Sequence, residues 1–196
     1  MDRLRSPGGC PWDAEQTHAS LAGYLLEEAH EAVEAIDHGD LEALREELGD
    51  VLLQVVFHAR VAQEQPDGWD VDEVAAGIIA KLVRRHPHVF ADVTVTGAAE
   101  VEANWDTIKQ AEKQRESVLD GVPVALPALA RAAKLVGRAD KAGLVVDVPV
   151  SDDFGSRLLA LAAEAQRAGV DPESELRAAL SDWAESVRAA ERGRSG

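Results

Sequence analysis

Two short acidic stretches, Leu26-Glu27-Glu28-Ala29-His30-Glu31 and Glu46-Glu47-Leu48-Gly49-Asp50-Val51, hold the residues best suited to chemistry. Glu28 and Glu31 are three apart, as are Glu47 and Asp50, a spacing that brings side chains to one face of a helix. If the two helices are antiparallel neighbours, these four carboxylates meet, and they repel strongly unless a cation sits among them. Oxygen-only ligands select hard ions, so Mg2+, or Mn2+ in its place, is the natural occupant, and Mg2+ serves phosphate chemistry. The competing reading is a solvated acidic groove, since Glu is common on helix surfaces.

Helical projection at about 100° per residue weighs against a merely wet face. On the first helix the apolar arc holds Leu21, Leu25, Ala29, Ala32, Val33 and Ile36, with Glu28 at its edge and Glu31 just outside. The second is apolar almost all round from Leu48 to Val61 and is expected to be largely buried, its polar stripe holding Glu47, Asp50, Gln54 and His58. Carboxylates on such a helix need a cation or strong hydrogen bonds, or they take up protons.

Local signals place these stretches on two long helices. The first runs from about Ser20 to Asp37 and stops at Gly39; Asp40 caps the second, which ends near Gln65 ahead of Pro66-Asp67-Gly68. So short a connection makes the pair antiparallel. Upstream, residues 1–12 carry the Pro and Gly of a loop, and Asp13-Ala14-Glu15-Gln16 has the form of a capping box. Asp72 can cap a third helix, from Glu73 to about His86, which Pro87 ends. Val74, Ile78, Ile79 and Leu82 form its core face, and Lys81 and Arg85 project at the core edge. A cation there is a snorkelling side chain or, beside a metal site, a clamp on phosphate oxygens. His86 and His88, separated by Pro87, do not share a helix face and are not read as metal ligands. A fourth helix spans about Val101 to Ser117; on it Trp105 and Lys109 are i,i+4 neighbours, either core packing or a stack-and-clamp pair for a base and a phosphate.

Composition bounds the remaining choices. The 196 residues are 46% hydrophobic but only 4% aromatic, with Ala, Leu, Val and Glu dominant, which favours an all-α fold, an antiparallel helical bundle. A net charge of -16 repels long nucleic acid, whereas a small phosphorylated substrate remains open because local cations reverse the potential inside a pocket. Cys10 is the single cysteine, so neither an intrachain disulfide nor a Cys-based zinc site is available. No apolar run reaches eighteen residues and the first residues lack a signal-peptide pattern, so a soluble cytoplasmic protein with no membrane partner is expected.

Gly121-Val122-Pro123-Val124-Ala125-Leu126-Pro127 marks a boundary that separates residues 1–119 from 120–196. Beyond it, helices are expected over Ala128 to about Ala142, Phe154 to Arg167, and Pro172 to about Arg192, followed by a disordered GRSG tail. Glu47-Leu48-Gly49-Asp50-Val51-Leu52-Leu53 aligns with Asp153-Phe154-Gly155-Ser156-Arg157-Leu158-Leu159: the glycine and both leucines coincide, while Ser156 replaces Asp50. This is the form of a decayed copy that kept packing residues and lost metal ligands.

Taken together, Cys10-Pro11-Trp12-Asp13 with Gln16-Thr17-His18, then LLEEAHE, EELGDVLLQVVFHA, KLVRRHPHVF and Trp105-Asp106-Thr107-Ile108-Lys109 closely resemble the MazG family. The motifs run almost continuously over residues 10 to about 115, and more loosely through LDGVPVALPALARAAKL. The resemblance implies the all-α nucleoside triphosphate pyrophosphatase fold and Mg2+-dependent hydrolysis of nucleoside triphosphates to monophosphate and pyrophosphate, by a protein that is a homodimer. It also implies metal ligands at Glu28, Glu31, Glu47 and Asp50, and substrate contacts at Lys81, Arg85, Trp105 and Lys109. Glu27, or Glu28 beside it, would orient or deprotonate water. Narrower substrates of related families (dUTP, a damaged nucleotide, phosphoribosyl-ATP) stay open, as does a noncatalytic nucleotide-binding module. Two-domain members carry a second acidic helix where this chain has only Asp147 to Asp152, so the second site looks deleted and residues 120–196 are expected to serve packing or dimerisation.

Overall fold

The computed structural model describes residues 1–113, 116–149 and 151–194, and every regular element among them is an α-helix. Two compact units divide at Lys109/Gln110, within one helix, ten residues before the boundary expected from the Gly/Pro-rich stretch.

In the first unit, α3 (His18–His38) and α4 (Leu41–Ala62) form the central pair. A reciprocal capping box starts α3: the Thr17 hydroxyl accepts from the Ser20 amide at 3.1 Å and the Ser20 hydroxyl accepts from the Thr17 amide at 2.9 Å. Gly39 ends it in the left-handed region, with φ of 68°, and Asp40 Oδ1 caps α4 through the Glu42 and Ala43 amides. Two residues thus reverse the chain, and the helices pack antiparallel. Buried Ala32, Ala35, Ala59 and Ala62 lie on them, small residues that allow close approach. Leu21, Phe57 and Val61 form the apolar core at the start of α3 and the end of α4, with Met1 packed against it.

Residues expected as an N-terminal loop instead contain α1 (Asp2–Arg5), and α2 (Pro11–Glu15) starts at Pro11 behind Cys10, with no box at Asp13. The cause is Arg5, a buried cation that organises the segment. Its guanidinium donates to both carboxylate oxygens of Glu64, at 2.9 and 2.8 Å, to the Gln16 carbonyl at 3.0 Å and to the Asp13 carbonyl, and lies 5.6 Å from the centre of the Phe57 ring.

Asp70, not Asp72, caps α5 (Val71–Arg85) in a box with Glu73, and α6 (Pro87–Phe90) follows directly. The last helix of the unit, α7 (Ala98–Lys113), begins one turn earlier than expected; its expected continuation crosses residues 114 and 115, outside the described residues. Two larger differences concern burial. On α4, Leu48 and Leu52 are 54% and 60% exposed, and Leu53 is exposed as well. The expected core residues Ile36, Ile78, Ile79 and Leu82 are also exposed. The apolar pattern is that of a covered helix; α4 packs chiefly on α3 and also meets α5, and Leu48, Leu52 and Leu53 remain open.

The second unit contains α8 (Ala128–Lys141), α9 (Phe154–Arg167) and α10 (Pro172–Arg194). Ala133, Ala162 and Ala163 are buried between α8 and α9, and Arg167 pairs with Asp140 at 3.1 Å. Asp153, aligned in sequence with Glu47, is an N-cap that accepts from the Ser156 amide at 2.9 Å. Gly193 and Arg194, expected in a disordered tail, are helical; the last two residues lie outside the described ones.

Candidate metal centre and basic cleft

Antiparallel packing turns Glu28 on α3 toward Glu47 and Asp50 on α4. All three are half-buried, and one oxygen from each lies within 4.8 Å of the others. The Glu28 carboxyl is held above the ordinary carboxylate range by burial first, then by Asp50, Glu31, Glu47 and Glu27. Glu47 is raised by burial, by Glu31, Asp50 and Glu46, and by a hydrogen bond with the Glu31 side chain. The largest charge effects on these two groups come from other carboxylates. The arrangement concentrates negative charge around one point.

These residues fit a hard divalent cation. Oxygens about 2.1 Å from Mg2+ stand at most about 4.2 Å apart across an octahedron, so carboxylates spread over 4.8 Å close on one ion by side-chain rotation alone. Of the residues singled out in the sequence, Glu31 is exposed and stands just outside the converging three, within hydrogen-bond reach of the Glu47 side chain. Glu27 is exposed and acts on the cluster only through its charge.

Lys81, Arg85 and Trp105 come together elsewhere in the unit, around a cleft of about 320 Å³ between the end of α5 and the start of α7. Arg85, expected at the core edge, is 5% exposed. Its guanidinium carbon lies 5.4 Å from the centre of the Trp105 ring, and the Lys109 ammonium lies 4.9 Å from it. Lys81 lines the cleft with His86 and Glu102. Trp105 is a half-buried aromatic in contact with two cations.

Residues 16–90 match a family model, the MazG nucleotide pyrophosphohydrolase domain. The chain is 35% identical over 212 residues to the nucleoside triphosphate pyrophosphohydrolase/pyrophosphatase MazG of Thermotoga maritima, an alignment covering 96% of this chain and 81% of that protein. This chain belongs to the MazG family. It is also 46% identical over 177 residues to the nucleoside triphosphate pyrophosphohydrolase of Escherichia coli K12, covering 87% of this chain and 67% of that one. An uncharacterized 26.1 kDa protein of Streptomyces cacaoi shares 52% identity over 194 residues, 97% of this chain and 79% of its own. The MazG domain match contains the acidic cluster, Lys81 and Arg85; Trp105 and Lys109 lie beyond its end, within the span of the longer alignments.

Sequence reasoning passed over three features of this MazG chain. Arg5 sits in a stretch read as a loop, and only its four hydrogen bonds to distant partners reveal its role. Gln54 was placed on the polar stripe of α4, but it is 5% exposed with its Oε1 unpaired, a burial that periodicity alone does not give. His18 and His58 meet Nδ1 to Nδ1 at 2.8 Å with stacked rings, and Trp69 stacks on His18 from the next turn. A His in the α4 stripe, one turn beyond Gln54, was the available signal for that contact.

Proposed function

We propose that this MazG chain hydrolyses nucleoside triphosphates, ribo and deoxy, to the monophosphate and pyrophosphate with Mg2+, or Mn2+ in its place. The observation that carries the reading is the convergence of Glu28, Glu47 and Asp50, with other carboxylates as the largest charges acting on Glu28 and Glu47. These three would hold the metal, with Glu31 completing the set after a small rotation. Bound there, the ion supplies charge neutralisation for triphosphate oxygens and lowers the pKa of a water.

The chain's own residues do the rest. Glu28, or Glu27 exposed beside it, accepts a proton from the water that opens the anhydride bond between the α and β phosphates. Lys81, Arg85 and Lys109 hold phosphate oxygens through charge-assisted hydrogen bonds, and Trp105 stacks on the base. Both cations now rest on the indole. An incoming base displaces one of them, and Lys109, on its flexible stem, swings toward the phosphates. Positioning and charge neutralisation of this kind account for most of phosphoryl-transfer catalysis.

A second copy of the chain is the proposed cover for Leu48 and Leu52, which makes the protein a homodimer. Residues 120–196 are proposed as a degenerate second MazG domain that supports packing or assembly rather than chemistry. Among the described residues no helix is long and apolar enough to cross a membrane, and we place the enzyme in the cytoplasm, where nucleotides are abundant.

The deciding experiment is incubation with each common NTP and dNTP, with Mg2+ and with EDTA, resolving products by anion exchange. Monophosphate plus pyrophosphate only with metal supports the reading; diphosphate plus orthophosphate refutes it. Turnover confined to one nucleotide such as dUTP favours a narrower pyrophosphohydrolase. Tight binding without product favours a nucleotide-binding module.

A further inference from the structure

We propose that Gln54 is a positioning residue of the acidic centre, its buried Oε1 accepting a hydrogen bond from a water that hydrates a divalent cation held by Glu28, Glu47 and Asp50; this rests on the metal reading above. Gln54 is 5% exposed, and its Oε1 accepts no hydrogen bond among the described residues. An amide oxygen taken out of water and left without a donor destabilises a fold, so a buried carbonyl of this kind calls for a ligand or a bound water. Its place on α4 says which. Gln54 lies one turn beyond Asp50, on the helix face that Glu47 and Asp50 turn toward Glu28. Long side chains on a helix lean back over the preceding turn, which carries the amide toward Asp50. Phe57, three residues on, already belongs to the apolar core with Leu21. Gln54 therefore sits where the acidic cluster gives way to hydrocarbon.

The chemistry of the ion fits an acceptor at that point. Mg2+ is octahedral and gives up its waters reluctantly, so Glu28, Glu47 and Asp50, even with Glu31, leave it partly hydrated. A water whose lone pair faces a cation has its hydrogens left to satisfy, and each needs an acceptor. An Asp or Glu would supply one but add a further negative charge to carboxyls whose pKa values neighbouring carboxylates already raise. The amide of Gln54 supplies a neutral acceptor and orients the water without adding repulsion. Removing such an outer partner from a metal site weakens metal binding or activity by about 10–100-fold.

The test titrates Mg2+, and Mn2+ in parallel, by calorimetry into full-length wild type, Gln54→Met and Gln54→Glu, with melts in EDTA. Met matches the length of Gln and removes the acceptor; Glu keeps an acceptor oxygen at the same reach. Gln54→Met is expected to bind Mg2+ about tenfold or more weakly while melting in EDTA at or above the wild-type temperature, because an unpaired polar atom has gone. Gln54→Glu is expected to restore the affinity to the wild-type value or beyond. Equal Mg2+ affinity in wild type and Gln54→Met overturns the proposal and leaves the metal centre standing. A Gln54→Glu protein as weak toward Mg2+ as Gln54→Met also overturns it: the amide then serves packing, or shares a water of the fold with the buried, unpaired Nε2 of His58 one turn further on. A wild type that binds neither ion refutes the metal reading and this inference with it.

Discussion

Asp50→Asn replaces one of three converging carboxylates with a neutral amide of nearly the same shape, and its effect on stability should change sign with metal. The Asp50 and Glu28 oxygens lie within 4.8 Å of each other. Two unit charges at that separation repel by about 0.9 kcal/mol in the dielectric of water and about 3.5 kcal/mol at an effective constant of 20. Both side chains are half-buried rather than enclosed, so the lower figure governs, reduced somewhat by salt. In EDTA the variant is expected to be more stable than wild type by about 1 kcal/mol, a rise in Tm of about 2–4 °C for a chain of this length.

With Mg2+ at a hundred times its dissociation constant, the wild type gains about 2.7 kcal/mol. The variant loses most of that gain, and the order of the two Tm values inverts. Calorimetric melts of both proteins in EDTA and in Mg2+, at low and high salt, measure the effect directly. The sign of the pH dependence follows from the Glu28 carboxyl being raised. Its ionised form weakens the fold, so its stabilising contribution is full below the ordinary carboxylate pKa and is lost as pH rises through the raised value. Acidification should therefore narrow the gap between the two proteins in EDTA. An Asp50→Asn protein that melts below wild type in EDTA, or gains as much from Mg2+ as wild type does, would falsify the metal centre.

Arg5→Ala removes a buried guanidinium from Glu64, two carbonyls and the Phe57 face, and should cost about 2–3 kcal/mol, a fall in Tm of roughly 5–10 °C; a shift within 2 °C of wild type, by the same melts, contradicts it. The His58 imidazole is lowered by burial and by His18, so its stabilising contribution is full above about pH 6.5 and is lost as pH falls through that value toward the lowered one. Melts at pH 7.5 and 5.5 should show this loss in wild type and a smaller one in His58→Phe; equal losses in the two sink the argument. Leu48→Ser with Leu52→Ser should weaken self-association in sedimentation velocity, and a wild type that stays monomeric at every concentration refutes the dimer.

The central helix pair was legible because its signals are local. Gly39 and Asp40 specify the reversal between α3 and α4 by their own backbone and capping chemistry, and the three-residue spacings then put Glu28, Glu47 and Asp50 on facing sides. Capping errors were small and also local: Asp70 and Asp72 both have a cap's chemistry, and Glu73 sits at the reciprocal position only for Asp70. Arg5 could not be read in the same way, since its partners Glu64 and Gln16 lie 59 and 11 residues away, and no periodicity links a short turn to the end of a long helix.

The exposed leucines of α4 show where a pattern argument has to stop. Apolar residues all round a helix say that every face is to be kept from water, and they do not say by what. Packing on α3 covers Phe57, Ala59 and Val61 toward the end of α4, while Leu48, Leu52 and Leu53 near its middle remain open. That open stretch brackets Asp50, so whatever covers it also lies close to the acidic cluster. Burial by a second copy would remove water from around Glu28, Glu47 and Asp50 and strengthen each of their interactions with a cation. Metal affinity and assembly are then linked, and the Leu48→Ser, Leu52→Ser protein should bind Mg2+ more weakly although no ligand has been touched. Calorimetric titration of Mg2+ into both proteins reads this, and equal affinities would separate the interface from the metal centre.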